Sequence, residues 1–336
     1  MDNLLKYNLT SFCESTGFSL ISVSGDDSSS FLQSQFTNDV LELDNDSIDH
    51  LLSGYCNPKG RLIALIRVLK IKQHDYLLIL PSELVDTVAK RLKLFVLRSK
   101  VKIELASDHL SLIGVWGKDI NIEVGKMKKL DNLVFIKDVD CPELGKRGWL
   151  IGDKNSIENS INYLKKIPYI NDFNRYYWKS SELFAGNLWI DNSNTESFIP
   201  QSINLDLNNG VSFTKGCYPG QEIVARTHYL GKVKRRLLLA KVNESELIGT
   251  EVEINLPVYQ STLDEDSPLE VGFVVDYSYF SLNNNQKQVI LLIQCQMNKL
   301  RTQNSQRVLS FQNTNGPKLT LLNFPYAMDV TAEKEK

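Results

Sequence analysis

The pattern of the chain changes at about Gly231. Before it, strand-like runs alternate with runs of helical period. After it, six short strand-like segments follow one another with no helix between them. A chain with that switch is expected to build a mixed α+β region and then a small barrel or sandwich. The segments are Arg236 to Val242, Glu251 to Leu256, Val271 to Asp276, Gln288 to Cys295, Arg307 to Phe311 and Leu319 to Leu322. Turn-rich stretches such as Leu263 to Pro268 and Asn283-Asn284-Asn285 separate them, and the charged end, Thr331 to Lys336, is expected to fray.

Upstream, Phe18 to Val23 reads as a strand, and Gly25-Asp26-Asp27-Ser28 closes it ahead of a helical run from Phe31 to Phe36. Residues 51–69 read as two strands joined by Asn57-Pro58-Lys59-Gly60. Tyr76 to Leu80 is another strand. Pro81-Ser82-Glu83 then opens a helix whose apolar stripe is Leu84, Val88, Leu92 and Phe95. Trp149 to Ile151 followed by Ile157, Ile161 and Leu164 repeats the strand–helix unit about seventy residues on, which suggests a duplicated α+β core. Asn171 to Phe184 is expected to include a helix. Residues 192–214 are polar and irregular, and they run straight into Lys215.

Composition narrows the function classes. The 336 residues carry a net charge of −2, so no global basic field draws nucleic acid. The longest apolar runs, Val289 to Ile293 and Leu237 to Ala240, are of strand length and far short of a membrane span. The opening Met1-Asp2-Asn3 has no basic segment ahead of an apolar block, so a cytoplasmic protein is expected. The five cysteines (Cys13, Cys56, Cys141, Cys217 and Cys295) are far apart, with no C-x-x-C, and the four histidines (His50, His74, His109 and His228) are as scattered. Reduced thiols are expected rather than a disulfide framework, and no stable metal or cluster site.

Residues 215–222, Lys-Gly-Cys-Tyr-Pro-Gly-Gln-Glu, carry the densest chemistry. Lys215 can favour the thiolate of Cys217 electrostatically. Gly216 and Gly220 allow backbone angles closed to other residues, and Pro219 stiffens the turn. Tyr218, Gln221, Glu222 and Arg226 would shape and position the loop. Glu222 and Arg226 would lie near each other and could form a salt bridge. The octet by itself fits two readings: a tight turn around a buried cysteine, or a presented, reactive thiol. A Cys–His hydrolase would need His228, eleven residues on, to fold back onto the sulfur. The basic run Lys232, Lys234, Arg235 and Arg236 reads either as a phosphate- or RNA-facing patch or as a solvated linker. Phe173, Tyr176, Tyr177, Trp178, Phe184 and Trp189 read mainly as packing, with one or two able to stack on a flat heterocycle.

The octet closely resembles the signature of the YgfZ-type folate-binding proteins, relatives of the glycine-cleavage T-protein linked to iron–sulfur cluster maintenance and tRNA modification. Further blocks are similar in order: Gly25-Asp26 with Phe31 to Asp39, Tyr55 to Arg61, Phe198 to Gln201, Asn204 to Asp206 and Val224 to Arg226. The resemblance implies an α+β fold: a T-protein-like ring of two ferredoxin-like subdomains over residues 1–232, a C-terminal β-barrel over 233–330, and the frayed tail 331–336. It implies tetrahydrofolate as bound ligand, with Phe18 (tryptophan in many relatives) and Trp178 as stacking positions. Phe184 stands where T-protein relatives often carry a glutamate on the pterin, and Glu182 is not assumed to replace it. The implied function is that of a folate-binding accessory protein for iron–sulfur enzymes or cluster carriers, tRNA-modifying ones included. Cys217 would be the working thiol with Lys215 beside it, and contact with tRNA would be indirect. The alternatives are a tetrahydrofolate-dependent one-carbon transferase and a module that binds tRNA or a cluster protein.

Overall fold

The computed structural model describes Leu4 and residues 6–45, 47–247, 251–261, 268–281, 287–300 and 308–328. The expected frayed tail, the turn Asn283-Asn284-Asn285 and most of Leu263 to Pro268 lie outside the described residues. Contacts divide the chain into two compact units. The first holds Met1–Trp178, Trp189–Pro200 and Asn209–Ala225, and the second Lys179–Leu188, Gln201–Asn208 and Arg226–Lys336.

The first unit contains two sheets. Strand β1 (Leu9–Cys13) belongs to the later one. The earlier sheet is built from β2 (Phe18–Ser24), β3 (His50–Cys56), β4 (Leu62–Lys72), β5 (Asp75–Pro81) and β6 (Lys102–Leu105), in the antiparallel order β3-β4-β5-β2-β6. Helix α1 (Ser28–Gln33) follows β2, and α2 (Val85–Leu94) follows β5. Val85, Val88, Ala89 and Leu92 of α2 are buried. The expected stripe stops there: Phe95 lies past the helix end and is exposed.

The second sheet comprises β1, β7 (Leu110–Gly117), β8 (Met127–Leu130), β9 (Leu133–Lys137), β10 (Lys146–Asp153) and β11 (Asn171–Asp172), in the order β11-β1-β7-β10-β9-β8. Helix α3 (Lys154–Leu164) starts at Asp153, whose carboxylate accepts from Ser156 N at 2.9 Å, an N-cap that satisfies one open donor. Leu20, Leu69 and Ile79 of the first sheet share one buried cluster with Trp116, Trp149 and Ile151 of the second and with Trp178 of α4 (Arg175–Phe184). The first unit thus holds two α+β sheets, each with at least one helix following its strands.

Past α5 (Gln221–Tyr229) come β12 (Arg235–Asn243), β13 (Pro257–Ser261), β14 (Leu269–Ser281), β15 (Lys287–Gln296), β16 (Val308–Phe311) and β17 (Lys318–Leu322). They close into a barrel in the order β12-β15-β14-β13-β16-β17. Val258, Val271, Leu291, Ile293 and Phe311 are in its core. One expected strand is displaced. Glu251 to Leu256 is not extended as a strand, because Asn255 takes φ +69° and turns the chain, and β13 begins only at Pro257.

Candidate functional site

The octet forms the end of a loop held on both sides, with the sulfur between the holds. Lys215 is buried, and its Nζ donates to the carbonyl oxygens of Gln33 at 2.5 Å, Phe36 at 2.6 Å and Asn38 at 2.9 Å. An ammonium has three donors, and here all three are used. The same Nζ stands 5.2 Å from the centre of the Tyr218 ring. Burial pushes the Lys215 ammonium down to about 8, although nearby Asp39 favours its charge. Sequence reasoning gave Lys215 only the task of favouring the thiolate. It did not foresee this anchor, whose signal was the Phe31 to Asp39 block.

On the other side, Gly220 takes φ +82° and packs on the β3–β4 turn. A side-chain carbon there would lie 2.5 Å from Asn57 O and 2.6 Å from Gly60 Cα. Gly216 differs from the expectation: its φ is outside the left-handed region and nothing lies within 4 Å of a built Cβ, so neither angle nor space requires glycine there. Tyr218 is buried, which pushes its phenol up, as does nearby Cys56. Helix α5 starts directly after Gly220, with Val224 N donating to Gly220 O at 3.3 Å. Gln221 reaches back to Gly216 O at 3.4 Å. Glu222 and Arg226 stand one turn apart on α5, both exposed, and no ion pair joins them among the described residues.

Cys217 is exposed, whereas Cys13, Cys56, Cys141 and Cys295 are buried. Of the two readings of the octet, the buried-cysteine turn is therefore excluded. The lead-in is fixed by the N-terminal block: Thr37 Oγ1 donates to Gly210 O at 2.7 Å, and Asn38 Nδ2 to Asn209 O at 2.7 Å. Arg61 Nη1 donates to Ser197 O at 2.6 Å. The Phe31 to Asp39 and Tyr55 to Arg61 blocks thus brace the lead-in to the cysteine loop, whereas Asn204 and Asp206 bond to Leu237 and Arg236.

The aromatic positions separate. Phe18 is half-buried, edge-on to Trp149 at 5.1 Å and to Trp189 at 4.7 Å between ring centres. Trp178, expected to offer a stacking face, has no exposed surface. It packs against Trp149 at 4.3 Å and Trp116 at 5.3 Å, and Arg147 lies 5.1 Å from its ring centre. A side-chain carbon on Gly114 would fall 2.1 Å from Trp178 Cε3, so that glycine makes the room for the indole. The indole Nε1 is buried without a hydrogen-bond partner among the described residues. Phe184 is buried edge-on to Phe280 of the barrel at 5.7 Å, and the Glu182 carboxylate accepts from Asn187 Nδ2 at 2.7 Å.

A buried ionic cluster was not foreseen. Arg67 Nη2 donates to the Asp138 carboxylate at 2.8 Å, and Arg147 Nη2 lies 3.5 Å from it. Burial alone would raise the Asp138 carboxyl, but Arg67 and Arg147 hold it well below the usual carboxylate range. His50 takes a hydrogen bond from Arg67 Nη1 at 3.4 Å on Nδ1, and its Nε2 meets Lys137 O at 3.0 Å, which fits a neutral ring protonated on Nε2. The basic run divides as well. Arg236 grips Asp206 through both Nη atoms at 2.5 and 2.9 Å, Arg235 lies 5.9 Å from the Phe273 ring centre, and Lys232 and Lys234 are exposed. Among the described residues no group of three or more His, Cys, Asp or Glu side chains is arranged to hold a metal ion.

No protein-family model matches the chain. It is similar to the tRNA-modifying protein YgfZ of Klebsiella pneumoniae, 33% identical over 249 residues that cover 71% of this chain and 74% of that protein. It is similar to the tRNA-modifying protein YgfZ of Colwellia psychrerythraea, 31% identical over 236 residues, 68% of this chain and 70% of that protein. Among solved structures, the glycine cleavage system aminomethyltransferase T of Bartonella henselae aligns with a TM-score of 0.68 over 97% of this chain and 89% of its own. At 9% identity that likeness establishes the fold, T-protein-like, and nothing of the chemistry.

Proposed function

The chain belongs to the YgfZ family, and on that premise we propose that it is a folate-binding accessory protein. It supports the assembly or repair of iron–sulfur enzymes, tRNA-modifying ones among them, through the thiol of Cys217. The observation that carries this reading is the mounting of that thiol. Of five cysteines only Cys217 is exposed, and the residues on either side of it are fixed, by Lys215 on three carbonyls and by Gly220 on the β3–β4 turn. A core-filling cysteine has no use for such a frame, whereas a thiol that must meet a partner at a set place does. None of the five cysteines is in a disulfide, in keeping with the reducing cytoplasm, where we place the protein.

Tetrahydrofolate, when bound, supplies a one-carbon carrier. The chain's part is to hold its flat ring. Phe18 gives a π-face backed by Trp149 and Trp189, and Trp178 gives its unpartnered indole N–H instead of a face. That donor supports the reading, because a buried N–H without an acceptor costs about 1–3 kcal/mol until something accepts from it. Lys215 acts as a positioning residue for Cys217, its charge two residues from the sulfur in sequence. Tyr218, Gln221, Glu222 and Arg226 complete the frame of the loop.

The test is complementation of a strain that lacks the protein. Cys217→Ala should fold and bind tetrahydrofolate like the wild type, yet fail to restore the activity of iron–sulfur tRNA-modifying enzymes. Full restoration by Cys217→Ala would sink the thiol as the working group.

A further inference from the structure

The apolar face of α2 ends at Leu92, but the apolar residues do not. Leu94 is 73% exposed, Phe95 45% and Leu97 87%. Large hydrophobic side chains exposed singly are ordinary; three within four residues form a patch. Leu97 also holds φ +45°, a left-handed backbone that leucine disfavours. The chain thus bends its backbone unfavourably and sets an apolar side chain in water at the same residue.

This turn is well tied. Phe95 N donates to Leu92 O at 3.0 Å and Ser99 N to Val96 O at 2.8 Å. The Asp27 carboxylate accepts from Lys100 N at 2.7 Å. Gly25 packs so closely that a side-chain carbon on it would meet Lys100 O at 2.1 Å. Asp27, Phe95, Leu97, Arg98 and Ser99 line a groove of about 740 Å³. Arg98 lines it, and Lys90 and Lys93 are exposed four residues before Leu94 and Leu97; none of the three has an acidic partner among the described residues, while Asp27 is engaged with Lys100 N and Asp26 with Lys100 Nζ at 3.4 Å.

We propose that the groove at Phe95–Ser99 is a docking site for an acidic amphipathic segment of a partner protein, one that seats an apolar side chain against Leu97 and Phe95 and sets carboxylates on Lys90, Lys93 and Arg98. The unpaired cations select an acidic occupant. Two of the three exposed apolar side chains, Leu94 and Leu97, are aliphatic and Phe95 alone offers a π-face, which favours protein over RNA, since a single-strand platform stacks successive bases on several aromatic rings. The groove is shallow, and its hydrogen-bonded turn gives a partner segment a fixed surface to lie against. This surface is independent of the role given to Cys217.

The probe is a short labelled peptide alternating leucine and glutamate, titrated into the full chain and followed by fluorescence anisotropy. Saturable binding that weakens with added salt is expected. Leu97→Gly removes the side chain while glycine accepts the same φ, so its melting temperature should equal or exceed that of the wild type. Its affinity for the peptide should fall about tenfold or more. Lys93→Glu with Arg98→Glu should lose binding as well. Absence of saturable binding, or equal binding by Leu97→Gly, overturns the proposal. So does sedimentation with phosphatidylglycerol vesicles, self-association, or binding of a single-stranded RNA oligomer, each without peptide binding, since these assign the patch to a membrane, a second copy or RNA.

Discussion

Gly220 of the octet loop lies against Gly60 of the β3–β4 turn so closely that a side-chain carbon on Gly220 would fall 2.6 Å from both the N and the Cα of Gly60. Both glycines are left-handed, at φ +82° and +70°, so each is required twice over, by angle and by space. Two segments about 160 residues apart in sequence meet there, backbone against backbone with the Ile223 side chain beside Gly60.

Gly220→Ala should therefore destabilise the chain by about 2 kcal/mol or more: roughly 1 kcal/mol from the left-handed angle and the rest from the contact with Asn57 O and Gly60. Gly216→Ala should change stability by less than about 0.5 kcal/mol, because its surroundings are open. Urea unfolding of the two variants separates the cases. Equal losses would mean that the glycines do not differ in the way their packing requires.

Lys215→Met keeps the length of the side chain and leaves the carbonyls of Gln33, Phe36 and Asn38 without the donors they now share. The change also relieves the burial of a charge, the same burial that pushes the ammonium down to about 8. The stranded carbonyls should outweigh that relief, for a net loss of about 2 kcal/mol. The loop should detach locally, so cleavage of the loop by a protease should quicken and complementation should fail with the thiol still in place. Unchanged proteolysis and full complementation would show that Lys215 is no anchor.

Much of this was legible in the sequence. Asn57-Pro58-Lys59-Gly60 announced the β3–β4 turn because each of those residues suits a tight turn, and the octet announced the loop. The barrel was legible from its short apolar segments, except at Glu251 to Leu256. There the alternation of Val252, Ile254 and Leu256 imitates a strand, while Asn255 turns the backbone. The anchor of Lys215 was not legible, since its partners are main-chain carbonyls about 180 residues away and carry no residue identity. Nor was the burial of Trp178, which depends on the space left by Gly114 in a strand that sequence reasoning did not assign. The cluster of Arg67, Asp138 and Arg147 joins the middle of β4 in the first sheet to the ends of β9 and β10 in the second, which no local pattern records.

That cluster sets an acid limit on the fold. Burial and the nearby Arg67 push the His50 imidazole down to about 3, against about 6.5 in an unfolded chain. Between those values the unfolded chain binds a proton that the native one refuses, so stability is full above pH 6.5 and is lost as pH falls towards 3. At about 1.4 kcal/mol per pH unit, the loss by pH 5 is about 2 kcal/mol. Asp138, held below the usual carboxylate range, adds its loss only at lower pH. Urea midpoints at pH 7 and pH 5 measure the fall, and His50→Gln should flatten it. A slope that persists in His50→Gln would assign the acid sensitivity to other groups.

The proposed role of Trp178 in holding folate calls for a gentler substitution than removal of the ring. Trp178 is fully buried among Trp116, Trp149 and Arg147, so Trp178→Ala would open a large cavity and cost about 3–5 kcal/mol, and any loss of binding would then follow from the damaged core. Trp178→Phe keeps most of the packing and deletes only the indole N–H, which has no partner among the described residues. If that N–H donates to a tetrahydrofolate acceptor atom, Trp178→Phe should weaken tetrahydrofolate binding by about 1–2 kcal/mol, roughly five- to thirtyfold, while thermal stability falls only modestly. Phe18→Leu, which removes a half-exposed π-face and keeps an apolar side chain, should weaken binding by a similar factor. Calorimetric titration of the three proteins decides the matter. If both variants bind tetrahydrofolate as the wild type does, the ligand does not sit on this aromatic cluster, and the folate reading loses its place in the first unit even if Cys217 keeps its role.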